Sequence, residues 1–340
     1  MFEKSILVTG GAGFIGSNFI PWFARKYPQY QIVNLDKLTY AGNLANLAEC
    51  ESLHNYEFIQ GDIVNRNLLE ELFTSRNING VIHFAAESHV DNSIAQPAAF
   101  IETNLVGTFT LLDVARQFWL QRPGKAKSEF ASCRFHHVST DEVYGSLGPT
   151  GLFKETSPYA PNSPYSASKA GADFLLRAWH HTYGLNVTTS NAANNYGPHQ
   201  HSEKLIPKIV SNCLRRQPIP IYGHGNNVRD WLYVMDHCKA IDLIFHKGTS
   251  GQTYNIGAHN ERTNLQVAQT ICRILDQRCP WHQGPFSKLI TFVPDRPGHD
   301  LRYALDTTKL QQELAWYPEE NFQSGLEKTI DWILSHYKKV

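Results

Sequence analysis

The stretch Ser5-Ile6-Leu7-Val8-Thr9-Gly10-Gly11-Ala12-Gly13-Phe14-Ile15-Gly16 constrains this chain more than any other. A short β-rich apolar run meets a glycine cluster, and the spacing of Phe19, Ile20, Phe23 and Ala24 then follows a helix. Strand, glycine turn and helix in that order form the unit that opens a doubly wound parallel sheet and binds a dinucleotide. Gly10 permits the tight turn, Gly13 lets the backbone approach a pyrophosphate, and Gly16 lets the helix pack close to the sheet, while the helix N-terminus faces the phosphates. The same glycines would also serve a plain βα turn, so the surroundings decide. Residues 31–36 read as a second strand ending in Asp36, about twenty residues past the glycines, where a carboxylate binds the adenosine ribose hydroxyls and repels a 2′-phosphate. NAD is therefore expected over NADP.

The alternation continues, which sets the fold class as α/β with a Rossmann-type doubly wound parallel sheet. Strands are expected at residues 56–59, 80–84 and 134–139, with a polar helix after the first and helices near 98–120 and 165–182. After about residue 190 the texture changes, as Pro198, Pro207, Pro218, Pro220, Gly223, Gly225, Pro294, Pro297 and Gly298 punctuate short runs. The expected division is a cofactor domain over 1–190, joined by a returning segment near 225–250, and a smaller mixed substrate lobe over 191–340. The stretch 121–129, rich in Lys and Gly, reads as a surface loop.

At 340 residues the chain has room for both units. Its Lys+Arg and Asp+Glu counts are both 31, so no net field draws it to nucleic acid or an anionic membrane, and an anionic ligand must be gripped locally. Cys50, Cys133, Cys213, Cys238, Cys272 and Cys279 include no CxxC pair, which points away from a zinc site and from a secreted disulfide framework. Reduced thiols, no long apolar run and no signal peptide together suggest a cytoplasmic protein. His136, His137, His199 and His201 lack metal-ligand context and read as structural or exposed, so no metal is expected.

The chemistry concentrates at the end of the strand over 134–139. There Val138-Ser139-Thr140-Asp141-Glu142-Val143-Tyr144-Gly145 sets two adjacent carboxylates where ligands of an open parallel sheet bind. Some 25 residues on, Tyr165-Ser166-Ala167-Ser168-Lys169 places a tyrosine and a lysine at i and i+4 on one helix face. An ammonium beside a phenol lowers its pKa and makes it a usable base, and Thr140 can hydrogen-bond the hydroxyl that Tyr165 deprotonates. That set alone suits an alcohol dehydrogenase or an epimerase.

Together with LDKLTYAGN, AAESHVDNSI, NNYGPHQHSEKLIP, PIYGHGNNVRDWLYV, YNIGAHNE and DRPGHDLRYALD, these motifs resemble the extended short-chain dehydrogenase/reductases that act on nucleotide sugars, nearest their 4,6-dehydratase branch. The resemblance implies oxidation of a hexose C4 hydroxyl with bound NAD, loss of water across C5 and C6, and return of the hydride to C6. Thymidine diphosphate is the implied carrier and glucose the implied hexose; a UDP- or CDP-linked hexose, or 4-epimerisation, are the alternatives. It assigns Glu142 to the C5 proton, Asp141 to protonation of O6 and Tyr165 to the C4 hydroxyl. The acid–base pair has no task in epimerisation. For cofactor it adds Phe14, Ile15, Lys37, Thr39, Asp62, Ile63, Ala85, Ala86 and Thr103 to Gly10, Gly13, Gly16, Asp36, Tyr165 and Lys169. For the nucleotide sugar it gives Ser88, Thr140, Asn195, Lys204, Leu205, Tyr222, Arg229, Asn264, Arg296 and His299, the arginines suiting a diphosphate. Relatives of this kind pair through the helices near 98–118 and 165–182, and Phe100, Leu105, Phe109, Leu112, Phe174, Leu175, Ala178 and Trp179 lead to the expectation of a homodimer. One departure stands out: His199-Gln200-His201-Ser202 replaces an aromatic-His-Phe-Pro run, in a loop expected near the sugar and base.

Overall fold

The apolar runs that read as strands lie side by side in one seven-stranded sheet. The chain is described here by a computed structural model covering residues 2–295 and 297–337. Across the sheet the order is Thr253–Ile256, Val187–Ala192, Arg134–Thr140, Gly80–His83, Lys4–Thr9, Tyr30–Asp36, Tyr56–Gln60. Every neighbouring pair is parallel. A parallel strand is covered on both faces and so needs a continuous apolar run, as Ile6, Leu7 and Val8 supply. The order reverses between Lys4–Thr9 and Gly80–His83, and the crevice beyond their carboxyl ends is where such a sheet takes its ligand.

Helices Phe14–Lys26 and Val234–Lys247 cover one face, packing Phe19, Phe23, Ile241 and Phe245 on Ile6 and Val8. Arg66–Ser75, Pro97–Trp119 and Pro164–Tyr183 cover the other, packing Leu69, Leu111, Leu112 and Leu176 on Leu7 and Val33. Pro97–Trp119 is long and apolar enough by composition to cross a bilayer, but half of its most apolar window is buried in the protein, as in a core helix. Its run over Ile101–Gly107 is a π-helical turn, a geometry that recurs at functional sites. Of the positions expected to pair two copies, Phe100 and Leu112 are spent on the protein's own core, while Phe109 and Phe174 are exposed beside Ile101 and Val106. The 121–129 stretch is more ordered than a plain loop: Leu120–Arg122 and Lys125–Ala126 form a short hairpin and Phe130 is buried after it.

The second apolar core, around Ile206, Ile209, Ile271, Leu275, Leu326 and Ile330, is enclosed by Leu205–Arg215, Asn264–Arg278 and Phe322–Tyr337. Two small sheets brace it, one of Asn194–Tyr196, Val228–Tyr233 and Glu261–Thr263, the other of Ile219–Tyr222 and Ile290–Val293. Within 225–250 the element that rejoins the first lobe is the helix Val234–Lys247; the strand that rejoins the sheet follows it, at Thr253–Ile256. Thr308–Leu314 packs back on that strand as well. All six cysteines are unpaired, five of them buried and Cys279 half-buried.

Candidate active site

The cleft at the switch point is lined by Gly10, Gly13, Phe14, Ile15, Gly16, Asp36, Lys37, Thr39, Asp62, Ile63, Ala85, Ala86, Ser88, Thr103, Tyr165, Lys169 and Lys204. Every residue assigned to cofactor from the sequence is therefore gathered in one place. The glycines earn their positions by close approach. Gly10 has φ +72° and a Cβ there would lie 2.6 Å from the Ala85 nitrogen, so the first and fourth strand ends can meet only through glycine. Gly16 acts differently from the expectation: its Cβ would strike the Gly10 carbonyl and Gly11 Cα, so it seats the helix on the glycine turn itself rather than on the sheet. Asp36 accepts from the Ala12 nitrogen (2.9 Å) and the Leu38 nitrogen (2.8 Å) through different oxygens, which fixes the carboxylate at the cleft edge with acceptor capacity to spare. Lys37 pairs with Asp62 at 2.6 Å. A glycine cradle that a Cβ would fill, with a carboxylate fixed at its edge, fits a dinucleotide without a 2′-phosphate.

At the end of Arg134–Thr140 the backbone turns at once into the 3₁₀ turn Asp141–Tyr144. The Thr140 hydroxyl caps that turn, accepting from the Glu142 nitrogen at 3.3 Å. Gly145 closes it with φ +85°, because a Cβ would sit 2.4 Å from the Ala160 carbonyl oxygen. The two carboxylates thus start from one cap yet meet different surroundings. Asp141 is 2% exposed, and its carboxyl is pushed well above the usual range by burial first and by Glu142 next, with Asp230 adding to this and Arg229 and Thr140 opposing it. Its Oδ2 has no hydrogen-bond partner among the described residues. Glu142 is half-buried. A fully buried carboxyl whose ionisation is disfavoured stands next to a half-buried one, a difference in surroundings that can separate acid from base.

Tyr165 and Lys169 come from Pro164–Tyr183, a helix started by a reciprocal Ser163–Ser166 capping box with Pro164 at its first position and stopped by Gly184 in the left-handed conformation. The Thr140 hydroxyl lies beside the Tyr165 phenol and favours its ionised form. The phenol's pKa corrects the expectation: it is raised, by burial first and then by Glu142, Asp141 and Asp173. Lys169 is engaged by other partners. Its ammonium, 3% exposed, donates to the Val138 carbonyl (2.8 Å) and lies 3.3 Å from His137 Nε2, and burial pulls it down to about 8. His137, read from the sequence as structural or exposed, therefore touches Lys169; His136, bonded to Thr188 and Ser190, is structural.

The substrate candidates fall into three groups. Ser88 and Lys204 share the cleft, the Lys204 ammonium donating to the Ser88 carbonyl at 3.0 Å. Arg229 reaches the acid–base pair electrostatically, but its guanidinium is held by the carbonyls of Val228, Asp300 and Leu301 and lies over the Tyr303 ring, 4.2 Å from its centroid. Tyr222 stands edge-on to His299 in the second lobe, where Leu205 and Asn264 begin two helices and Asn195 bonds His237. Arg296 lies outside the described residues. The His199–Ser202 loop borders the cofactor cleft: Gln200 and His201 line it, His201 edge-on to Tyr40, while His199 turns away onto Trp332. Sequence reasoning missed Asn104, which bonds both backbone groups of Glu87 and the Ser168 hydroxyl and so ties the cleft loop to the catalytic helix. It also missed Asp173, one helical turn beyond Lys169. Helical spacing at i+8 from Tyr165 was the available signal.

Comparison with known proteins gives a consistent result. The family model described as GDP-mannose 4,6 dehydratase matches residues 7–329. A dTDP-glucose 4,6-dehydratase of Xanthomonas campestris pv. campestris is 52% identical over 331 residues, covering 97% of this chain and 93% of the relative. The crystal structure of a dTDP-glucose 4,6-dehydratase from Bacillus anthracis in complex with NAD is similar with a TM-score of 0.86 and 44% identity, covering 98% of both chains. That of a Streptomyces venezuelae dTDP-glucose 4,6-dehydratase with NAD and TYD bound is similar with a TM-score of 0.88 and 44% identity, covering 99% of this chain and 98% of the other.

Proposed function

Because the chain belongs to the GDP-mannose 4,6 dehydratase family, we infer its activity from the relatives it matches over nearly full length, and the roles of its residues from the site they form. The protein is a hydro-lyase that converts dTDP-glucose to dTDP-4-keto-6-deoxyglucose, with a nucleotide sugar as substrate and NAD as cofactor. Bound NAD would accept the hydride from C4 and, reduced to NADH by that step, would return it to C6. The chain's own residues do the proton work. Tyr165 takes the proton of the C4 hydroxyl, which the Thr140 hydroxyl also hydrogen-bonds. Once C4 is a ketone the C5 proton is acidified; Glu142 removes it, and Asp141 gives its proton to the departing O6. The cradle for NAD is Gly10, Gly13 and Gly16 with Asp36 on the ribose.

The observation that carries these roles is Asp141, 2% exposed beside Glu142 with an Oδ2 that no described residue bonds: burial and Glu142 raise its carboxyl well above the usual range, which favours the proton that departure of O6 requires and that 4-epimerisation has no use for. Arg229, Tyr222, Asn264, Arg296 and His299 hold the nucleotide end from the second lobe, residues 191–340, against a cofactor lobe over 1–190 with its returning segment; the separate apolar core of the second lobe supports that division. The protein works as a cytoplasmic homodimer, a reading supported by its unpaired thiols and by exposed Ile101, Val106, Phe109 and Phe174 on two neighbouring helices. Incubation with dTDP-glucose, followed by alkali, is expected to give the absorbance of a 4-keto-6-deoxy sugar. Recovery of unchanged substrate, or of its C4 epimer, overturns the reading.

A further inference from the structure

One and two helical turns beyond Tyr165, at Lys169 and Asp173, begins a buried polar cluster with more members than proton abstraction from C4 uses. Asp173 is 6% exposed and follows Lys169 by one helical turn. Its Oδ2 accepts from the Ser139 hydroxyl at 2.8 Å and the Tyr159 hydroxyl at 3.0 Å. Its Oδ1 lies 3.4 Å from His137 Nε2, the same nitrogen that Lys169 Nζ approaches at 3.3 Å. Tyr159 is held in turn by Asn191, which also bonds Tyr144, whose hydroxyl donates to Asn255. An ordered set of side chains thus fixes one carboxylate beside one buried ammonium. A buried lysine sheds its proton unless an opposite charge offsets desolvation.

We propose that Asp173 is a positioning residue for this reaction: its carboxylate, facing the ammonium across His137, holds Lys169 charged one turn beyond Tyr165, the form in which Lys169 supports the C4-hydroxyl base. The groups around Lys169 leave that task to Asp173. From the strand Arg134–Thr140 come the Val138 carbonyl and His137, and from Gly80–His83 comes His83; burial keeps both imidazoles neutral, so neither offers a counter-charge. From the long helix comes Asn104, through Ser168, and from Val187–Ala192 comes Asn191, both uncharged. Tyr159 is a phenol raised by burial and offers no counter-charge, and Tyr165, raised by burial as well, is the base that the ammonium serves. Asp141 and Glu142 act on the Tyr165 side of the cluster. Asp173 is the carboxylate that pulls Lys169 back up against burial; burial in turn raises the Asp173 carboxyl to about 6, with Lys169, Ser139 and Tyr159 opposing that rise, so that it is mostly ionised at neutral pH.

The inference rests on the activity assigned above, and its test has one arm that needs no turnover. In a single turnover with dTDP-glucose, the rate of NADH absorbance is followed against pH for the wild type, Asp173→Asn and Asp173→Glu. The Asn variant, nearly isosteric and still able to accept from Ser139 and Tyr159, is expected to move the alkaline limb down by about one pH unit or more. At the wild-type midpoint a one-unit move leaves about a fifth of the wild-type rate. The Glu variant keeps the charge and is expected to restore most of the midpoint at a lower plateau. The second arm is thermal denaturation. In the unfolded chain Lys169 keeps its proton up to 10.5, and in the fold only to about 8, so between those values the unfolded chain binds more protons and stability rises with pH. In Asp173→Asn that rise starts at lower pH. A uniform loss of rate with the limb and the stability rise unmoved, or a Glu variant displaced as far as the Asn one, overturns the proposal. Asp173→Ser, smaller and still polar, serves the same comparison if the Asn protein does not fold. Failure of the wild type to form NADH sinks the assigned activity and leaves the denaturation arm to decide on Asp173.

Discussion

Asp141→Asn separates elimination from oxidation. The substitution keeps shape and one acceptor oxygen at a site that is 2% exposed, so Thr140, Tyr165 and Lys169 stay in place and C4 oxidation proceeds. What disappears is the proton that Asp141 holds because burial and Glu142 disfavour its ionised form. Loss of one positioned general acid costs about 10²–10⁴ in rate, or about 2.7–5.5 kcal/mol in the barrier to O6 departure. In a single turnover with dTDP-glucose the variant should build NADH absorbance and lose it slowly, whereas Tyr165→Phe, lacking the first base, should build almost none. The same change should stabilise the fold. A carboxyl whose pKa is raised on folding loses stability as pH climbs from its ordinary value of 3.8 through the raised one, because over that window the fold binds more protons than the unfolded chain. Asn removes the penalty, so its melting temperature should match the wild type near pH 4 and exceed it at pH 7–8, by a gain on the order of 0.5–2 kcal/mol. Native-rate turnover, or a folded and NAD-loaded variant that forms no NADH, would refute the assignment of Asp141 to O6.

Protein denatured after purification should release NAD, since the hydride leaves and returns within one turnover; NADP as the main nucleotide would contradict the reading of Asp36. Light scattering at micromolar concentration should give a dimer mass, and Phe174→Glu, placing a charge on a side chain that is 58% exposed in the single chain, should shift it toward monomer; a wild-type monomer, or a Phe174→Glu dimer of undiminished stability, counts against pairing through these helices.

Local signals carried much of the fold. The strands ending at Thr9, Asp36, Gln60 and Thr140 announce themselves by apolar runs meeting small or acidic residues, because a parallel strand is buried along its length and its ligand end must open. The strand Thr253–Ile256 did not, since Thr-Tyr-Asn-Ile has no such run and owes its place to the helix before it. At the site, residues whose roles are set by backbone conformation or by neighbours in sequence were legible: Gly10 by its positive φ, Thr140 as a cap, Tyr165 and Lys169 by helical spacing. His137, Tyr159 and Asn191 were not, for each acts through partners tens of residues away that only the folded sheet brings near, whereas Asp173, at i+8 from Tyr165, carried a helical signal that was passed over. The upward pKa of Tyr165 escaped notice because helical spacing places Lys169 on the same face without saying how deeply the fold buries the phenol.

The path of the chain between its lobes limits how such an enzyme can change over evolutionary time. After Ala192 it enters the second lobe, comes back with Val234–Lys247 and Thr253–Ile256, leaves with Glu261–Thr263, touches the first lobe again at Thr308–Leu314 and ends in the second with Phe322–Tyr337. No single recombination point detaches one unit whole: a cut near residue 190 takes the edge strand and a covering helix from the sheet. A lineage built this way cannot acquire a new sugar specificity by exchanging a cassette, and must revise its pocket residue by residue, inside a frame whose strands are already committed to NAD.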